Sequence, residues 1–507
     1  MTVQAQAQRA ATSPLLVLLT ASVGCAMTVL DTNIVAIVLP TLARDLSAKF
    51  ADVEWVISSY VLCFAALLLP AGVIADRLGR RRVFLIGIAG FALASLMCGL
   101  ARSAAALYVA RAFQGMGAAF LLAPALAIIG HSFHEEHERN RAWAFWGGMM
   151  GLTMVLAPIL GGVVAYALGW RWAFGINVPI CLVLAGAVLL FVGESRDEAA
   201  RRLDPAGILL FAATMFGLTS GLINGQAHGW SAPSALAGFG AGLGAAIAFV
   251  AAERVQRRPM LDLQLFRRRH FIGAVLAMFA YAASAQVMAS LLPQYLQNGL
   301  GRTPLEAGFA MLPFALAMLA LPYLGRRLGA YLKSSQILVL GLAVVGAGNL
   351  VTGWGAHLGT WPLVIVGMMI LGSGGGLLNG ETQKAIMATV PRDRAGMASG
   401  ISTTARFSGI LLGFAVLSGV LATGTRQWLE AGSCAAGAPC GQLQRFADAV
   451  VAGDPPQALA AAGSTGAATM AEARLAYSDG FAAALIVAAA VAGLAALLVG
   501  RLMRDRS

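Results

Sequence analysis

The stretch VFLIGIAGFALASLMCGL, Val83 to Leu100, has no charged side chain and no alternation of polar and apolar residues. A bilayer core about 30 Å thick needs roughly 20 apolar residues in a helix, whereas a strand of a membrane barrel has about ten residues of alternating polarity. The same kind of stretch recurs along the chain, for example from Phe481 to Gly500. The sequence therefore predicts an all-α membrane protein.

The whole chain supports many membrane spans. Its 507 residues are 59% hydrophobic and 11% charged, which is more apolar surface than a water-soluble fold of this length could bury. We predict 14 transmembrane helices, at residues 14–38, 54–75, 83–101, 104–130, 142–166, 172–192, 205–224, 234–252, 271–295, 305–325, 335–354, 358–380, 396–422 and 479–500.

The net charge of +12 is unevenly distributed along the chain. With the N-terminus inside the cell, most of the 35 Lys and Arg residues fall in cytoplasmic segments, as the positive-inside rule describes. We therefore predict a multi-pass protein of the cell membrane, in the bilayer of a bacterial inner or plasma membrane, with both termini in the cytoplasm. No soluble basic domain is available to bind nucleic acid, so we expect no nucleic-acid partner.

The spans divide into six, two and six. Transporters built from two six-helix bundles are common, and a two-helix insert between them accounts for this count. The predicted segments are a cytoplasmic tail (1–13), an N-terminal bundle (14–192), a linker with two inserted spans (193–252), a basic cytoplasmic linker (253–270), a C-terminal bundle (271–500, with an outer loop at 423–478) and a second cytoplasmic tail (501–507).

Two ionisable residues lie deep within predicted spans. Asp31 is nine residues before Pro40 and Arg111 is seven residues after Ala104, which places each about 10 to 14 Å below the outer surface. Ionisable groups inside a bilayer are costly and are functional candidates. If spans 1 and 4 face one cavity, Asp31 would carry a proton and Arg111 would modulate its charge; the alternative is a static buried ion pair that locks the two helices.

Two further residue pairs follow from spacing. Glu381 and Arg406 are nearly equidistant from a turn near Asp393, so antiparallel spans 12 and 13 would bring them to similar depth, and we expect a structural salt bridge there. Cys434 and Cys440 are six residues apart in the predicted outer loop, in an oxidising compartment, where either a local disulfide or two unpaired thiols is expected.

Other chemistry is disfavoured by the motifs. The chain has no GxxxxGK[ST] loop for ATP and no HExxH zinc site. The cluster His131, His134 and His137 falls in a short cytoplasmic loop with neighbouring glutamates, which is typical of a solvated charge run rather than a metal site. We therefore expect no enzyme, no cofactor and no metal.

Three motifs occur in the expected order and on the expected membrane sides: LDTNIVAIVLP at 30–40, GVIADRLGRRR at 72–82 and LYVARAFQGMGAA at 107–119. Together they resemble those of the fourteen-span drug:proton antiporters of the major facilitator superfamily, the EmrB/QacA type. The resemblance aligns Asp31 with the acidic residue of span 1 and Arg111 with the span 4 arginine tied to proton transfer. It also implies a gating loop made of Gly72, Asp76, Arg77, Gly79 and Arg80.

The sequence APILGG at 157–162 resembles the antiporter motif of span 5, with Pro158, Gly161 and Gly162 at motif positions and Ala157 in place of the usual glycine. Further similar stretches are WRWAFGINVP at 170–179, LPQYLQ at 292–297 and PRDRAGMASGISTTARFSG at 391–409.

The resemblance implies export of small amphipathic, often cationic organic compounds in exchange for protons, by alternating access of two bundles. The expected partners are a small organic substrate, the proton and the bilayer, with a monomeric protein that an accessory periplasmic adaptor protein could contact at the outer loop. The alternatives are a narrow-substrate metabolite exporter or a proton-coupled importer of the same fold and, from another class, a non-transporting membrane sensor.

Overall fold

The structure is a computed structural model that describes residues 13–133, 135–196, 204–256, 265–328, 331–390, 395–434, 446, 449–452 and 470–504. Among these residues, 14 helices are long and apolar enough to cross a membrane. They are α1 (Pro14–Asp45), α2 (Phe50–Leu78), α3 (Arg80–Gly99), α4 (Ala104–Ser132), α5 (Glu136–Ala167), α6 (Arg171–Phe191), α7 (Pro205–His228), α8 (Pro233–Val255), α9 (Arg269–Gly299), α10 (Pro304–Ala310 and Leu312–Leu328), α11 (Ser334–His357), α12 (Trp361–Ala388), α13 (Ala395–Cys434) and α14 (Met470–Leu502).

Several helices begin at signals that the sequence encodes. The side chains of Ser103 and Asp204 accept hydrogen bonds from backbone N–H groups in the first turns of α4 and α7. Thr303 and Glu306 form a capping box at the start of α10. These contacts provide acceptors for N–H groups that have no partner inside the helix. Leaving such a group without a hydrogen bond costs free energy. A proline also stands at the first turn of α1, α7, α8, α10 and α12.

The number of spans agrees with the sequence prediction, but several helices are longer than their apolar segments. The largest differences flank the predicted outer loop, where α13 continues to Cys434 and α14 begins at Met470, so the helices occupy both ends of the predicted 423–478 loop. Residues such as Gln427, Leu429, Glu430, Ala471 and Glu472 favour helix without being uniformly apolar. Hydropathy therefore marked the membrane core and not the helix ends.

The helices form two six-helix bundles, α1–α6 and α9–α14, with α7 and α8 inserted between them in sequence. An even number of spans places the start of α1 and the end of α14 on one side, which we call the terminal side; the opposite side is the far side. The bundles meet through α1 with α9, α5 with α10 and α2 with α13.

The inserted pair packs through glycines. A Cβ on Gly217 of α7 would lie 2.4 Å from the backbone nitrogen of Gly242 in α8, and one on Gly238 would lie 2.5 Å from the nitrogen of Gly221. The four glycines form two small-xxx-small patterns, which allow the helix backbones to approach closely without side chains between them. The pair is thus a tightly joined helical hairpin.

Helix α7 also contacts both bundles. The Phe216 ring packs against Trp55 of α2, with 5.5 Å between ring centres. At its far end, the Gln226 amide donates to the carbonyl of Ala415 in α13 at 2.7 Å, and Arg426 of α13 donates to the Gln226 carbonyl at 3.1 Å. The first inserted helix therefore lies against the line where α2 and α13 meet.

Candidate functional site

Asp31 of α1 and Arg111 of α4 form a buried ion pair. Their exposed fractions are 0% and 1%, and Arg111 Nη1 lies 2.7 Å from Asp31 Oδ2. Arg111 Nε also donates to the Val56 carbonyl at 3.2 Å, and the guanidinium carbon lies 4.1 Å from the centre of the Tyr60 ring. The contact expected between the two residues is confirmed; its role in proton transfer stays a prediction.

Two amides that the sequence analysis did not single out complete this site. Gln114 Nε2 and Asn177 Nδ2 both donate to Asp31 Oδ1, at 2.7 and 2.8 Å, and Gln114 Nε2 also donates to the Ser95 hydroxyl at 2.8 Å. A signal for Gln114 was available, because it follows Arg111 by three residues and so shares its helix face. Asn177 lies in the WRWAFGINVP stretch, as a polar residue at the start of an apolar helical segment.

The Asp31 carboxylate of α1 is therefore linked to three other helices. It contacts α4 and α6 directly, and it is linked to α3 through Gln114 and Ser95. An ionised carboxylate only accepts hydrogen bonds, whereas a protonated one donates through one oxygen and has no charge for the arginine. Adding a proton to Asp31 would thus remove the ion pair with Arg111 and require at least one hydrogen bond to rearrange. Such a cluster can couple protonation to helix position.

The predicted gating loop joins α2 to α3 on the terminal side. Arg80 Nη2 lies 2.8 Å from Asp76 Oδ1, one turn away. Gly79 has φ +113°, a backbone conformation that residues other than glycine rarely adopt. A Cβ at this position would also lie 2.6 Å from the Glu194 carboxylate. The Arg81 N–H donates to Glu194 Oε1 at 3.1 Å, which anchors the loop to the segment after α6.

The two remaining loop residues make no comparable close approach. Arg77 is exposed. A Cβ on Gly72 would meet the Ala123 side chain at 3.9 Å, which is ordinary van der Waals contact. Within the part of the chain that the structure describes, Gly72 therefore makes no close backbone contact with a neighbouring helix in this conformation.

The span 5 motif packs α5 against both bundles. A Cβ on Gly161 would lie 3.2 Å from Ile34 Cα in α1, and one on Gly162 would lie 2.7 Å from the Pro304 carbonyl oxygen in α10. Conversely, a Cβ on Gly308 of α10 would lie 2.4 Å from the Pro158 carbonyl oxygen. These glycines let α5 and α10 touch backbone to backbone across the interface between bundles.

The predicted salt bridge between Glu381 and Arg406 is not formed. Glu381 accepts from the Ser334 hydroxyl at 2.5 Å and from Lys384 at 3.2 Å. Arg406 instead donates to the amide oxygens of Gln286 and Asn379, at 2.9 and 2.5 Å.

The physical reason lies in depth and rotation. Glu381 is seven residues before the end of α12 and Arg406 is eleven residues after the start of α13, an offset of about 6 Å at 1.5 Å per residue. Asn379 lies closer to the depth of Arg406 and on a different face of α12 from Glu381. Spacing about an assumed turn could not supply either quantity.

A second buried acid was missed. Glu54 of α2 is 1% exposed, and the Ser418 hydroxyl of α13 donates to its Oε1. Among the residues that the structure describes, Glu54 Oε2 has no hydrogen-bond partner. The predicted span 54–75 begins at Glu54, and a carboxyl directly before the apolar Trp55 and Val56 was a visible signal.

The predicted Cys434–Cys440 disulfide lies outside the described residues, because Cys440 belongs to the segment 435–445. It stays a prediction.

The sequence profile of the Major Facilitator Superfamily matches residues 21–414. The chain belongs to this superfamily. It is 35% identical over 419 residues to the multidrug resistance protein Stp of Mycobacterium tuberculosis (strain CDC 1551 / Oshkosh), covering 82% of this chain and 77% of the relative. It is 32% identical over 410 residues to the tetracenomycin C resistance and export protein of Streptomyces glaucescens, covering 80% and 76%.

Among solved structures, the peptide transporter POT in complex with sulfate is similar, with a TM-score of 0.64, 16% identity and 96% of each chain covered. At this identity the likeness shows the fold, which is that of a major facilitator transporter. Together with the 14 apolar helices, it identifies the chain as a multi-pass membrane protein.

Proposed function

We propose that this major facilitator protein is a multidrug efflux antiporter that exports small amphipathic organic compounds, cationic ones included, in exchange for protons. The names of the relatives, a multidrug resistance protein and an antibiotic resistance and export protein, support export of such compounds. The observation that carries proton coupling is the buried cluster around Asp31 and Arg111. In a membrane-spanning bundle, a carboxylate with these partners can bind and release a proton.

In this mechanism Asp31 is the proton carrier and Arg111 holds its charged form. A proton arriving at Asp31 breaks the ion pair with Arg111, whose remaining partners are the Gln114 amide oxygen, the Val56 carbonyl and the Tyr60 ring. Because the carboxylate joins α1 to α4 and α6, loss of this pair changes how these helices pack. The static ion pair remains the alternative, and the experiment below separates the two.

The contacts between the bundles define the conformational cycle. Gly162 with Pro304, Gln297 with Ile37, and Ser418 with Glu54 all lie in the far half of the molecule. We assign the far side to the outside of the cell. Because these contacts join the two bundles on that side, this conformation is closed to the outside. The Asp76–Arg80 pair and the Glu194 anchor would then control opening on the cytoplasmic side.

The same assignment places both termini in the cytoplasm of a bacterial cell. The transporter acts as a monomer in this proposal, since each bundle interface is completed within one chain. An accessory periplasmic adaptor protein would meet it at the segment between α13 and α14.

The test is efflux of a cationic dye from cells that express the wild-type protein, Asp31→Asn or the control Asp45→Asn, with and without a protonophore. Asp45 is on the same helix, but it pairs with Arg171 at an exposed position. We expect protonophore-sensitive efflux from the wild type and from Asp45→Asn, and none from Asp31→Asn. Normal efflux by Asp31→Asn would make the ion pair structural, and no dye efflux by the wild type would direct the search to metabolites.

A further inference from the structure

Arg406 is a membrane-embedded cation whose protein partners are neutral. It lies eleven residues into α13 and is half-buried, and it donates hydrogen bonds to two amide oxygens, those of Gln286 and Asn379. Among the described residues, no carboxylate lies within 4.0 Å of its guanidinium nitrogens. A charge held inside a bilayer without a counter-charge is costly, and a ligand of opposite charge would reduce that cost.

The three side chains come from separate helices, and a backbone irregularity helps to assemble them. Gln286 ends a π-helical turn, Ala282–Gln286, in the middle of α9. The wider turn changes the angular position of the residues that follow it, and such turns often occur at functional sites. Asn349 of α11, which is fully buried, donates to the Ser284 carbonyl of this turn at 3.0 Å. This hydrogen bond from a neighbouring helix stabilises the irregular backbone.

The cluster lies where the two bundles face each other. Phe407, the next residue after Arg406, packs edge-on against Phe64 of α2, with 4.6 Å between ring centres. Phe64 stacks on Tyr60 at 5.9 Å, and Tyr60 covers the guanidinium of Arg111 at 4.1 Å. An aromatic row thus leads from the buried Asp31–Arg111 pair to Arg406, and a molecule bound at Arg406 would have aromatic surface beside it.

The donors that remain suit one class of ligand. A guanidinium has five N–H donors in a planar fork, and Arg406 uses one Nε and one Nη2 contact within the protein. The Gln286 and Asn379 amides each direct an oxygen to Arg406, so each retains an NH₂ group as a further donor. A carboxylate accepts through two oxygens in the spacing that this fork presents.

We propose that Arg406, Gln286 and Asn379 bind the carboxylate group of a transported molecule, so that amphipathic organic acids are a substrate class of this protein. The inference rests on the proposed export function and specifies its substrates. Cations and neutral compounds would use the aromatic row without this anchor.

The test measures equilibrium binding of 1-pyrenebutyrate and of its neutral methyl ester to the full-length protein in nanodiscs. We expect Arg406→Gln to weaken binding of the carboxylate tenfold or more and to change the affinity for the ester less than twofold. Arg426→Gln is the matched control, because Arg426 lies on the same helix but contacts the Gln226 carbonyl. It should leave both affinities unchanged.

A second variant keeps Arg406 and changes only the charge around it. Gln286→Glu places a carboxylate of the protein beside the guanidinium, so we expect loss of 1-pyrenebutyrate binding with ester binding retained. Equal wild-type affinities for the two probes, no binding of the carboxylate, or equal losses for both probes in Arg406→Gln would overturn the proposal. Because binding is measured without a proton gradient, the binding result can be interpreted even if the protein fails to export the dye.

Discussion

The Ser418 hydroxyl of α13 donates to the buried carboxyl of Glu54 in α2, across the interface between the two six-helix bundles. Nearby, Gln226 of the inserted helix α7 donates to the Ala415 carbonyl one turn earlier in α13. Polar contacts surrounded by apolar side chains therefore stabilise the far half of the interface. The inserted helix α7 makes one of these contacts. This gives α7 a structural role at the seam between bundles.

Removing the Ser418 hydroxyl should loosen this seam. A typical buried hydrogen bond contributes about 0.5–1.5 kcal/mol, so we expect Ser418→Ala to raise the population open on the far side by about twofold to tenfold. The measurement is the rate at which a membrane-impermeable maleimide labels Ser58→Cys, one turn below Glu54, in a protein whose native cysteines are replaced by alanine. Ser402→Ala, a buried serine near the other end of α13, is the control. Equal labelling in both variants would count against a closing role for Ser418.

Gly162→Ala should destabilise the protein because the added Cβ would lie 2.7 Å from the Pro304 carbonyl oxygen. Overpacking of this kind costs about 1–3 kcal/mol, and it acts at the interface between bundles, so transport should slow as well. Gly148→Ala is matched on the same helix, where nothing lies within 4 Å of the added atom. Thermal unfolding in detergent, with dye efflux in cells, should show an effect for the first variant only.

Gly79→Ala combines two costs, a positive φ and a close approach to Glu194. Backbone strain of this type costs about 1–3 kcal/mol. Gly169→Ala has a similar φ of +87° with nothing within 4 Å, so it measures the backbone strain alone. We expect a larger fall in unfolding temperature for Gly79→Ala, and equal falls would mean that Glu194 moves aside freely.

Asn177→Ala and Gln114→Ala should each weaken the Asp31 cluster, since both amides donate to Asp31 Oδ1. Loss of a buried hydrogen bond to a charged group costs about 1.5–3 kcal/mol. Because the two amides share one acceptor, their effects should not add, and a double-mutant cycle on unfolding temperature and dye efflux will measure the coupling. Strict additivity would show that the two donors act independently.

The fold was accessible from sequence because membrane burial is a local property. A run of apolar residues identifies each span. The rise of 1.5 Å per residue then gives the depth of a residue from its position in the sequence. The depths assigned to Asp31 and Arg111 on two different helices led to their contact by this route. Gly161 and Gly162 were likewise recognisable, although the backbone atoms that they approach in α1 and α10 were not.

Partners that depend on helix rotation were not accessible in the same way. Spacing along the chain predicts a pair between Arg406 and Glu381. Glu381 is offset from Arg406 by about 6 Å in depth and faces Ser334, so Asn379 contacts Arg406 instead. The π-helical turn before Gln286 adds a further angular change that no apolar pattern encodes. Glu54 was visible only as a charge near a span boundary, and its burial depends on α13.

The sequence by itself thus determined that this protein has fourteen membrane helices, that Asp31 and Arg111 lie at similar depth, and which superfamily its motifs resemble. Those properties follow from hydrophobic length and from the order of residues along each helix. Only the tertiary structure decided which side chains meet: Gln114 and Asn177 at Asp31, Ser418 at Glu54, and two neutral amides at Arg406. Such contacts depend on how each helix is rotated and which helix it packs against, and these are set by the whole bundle together.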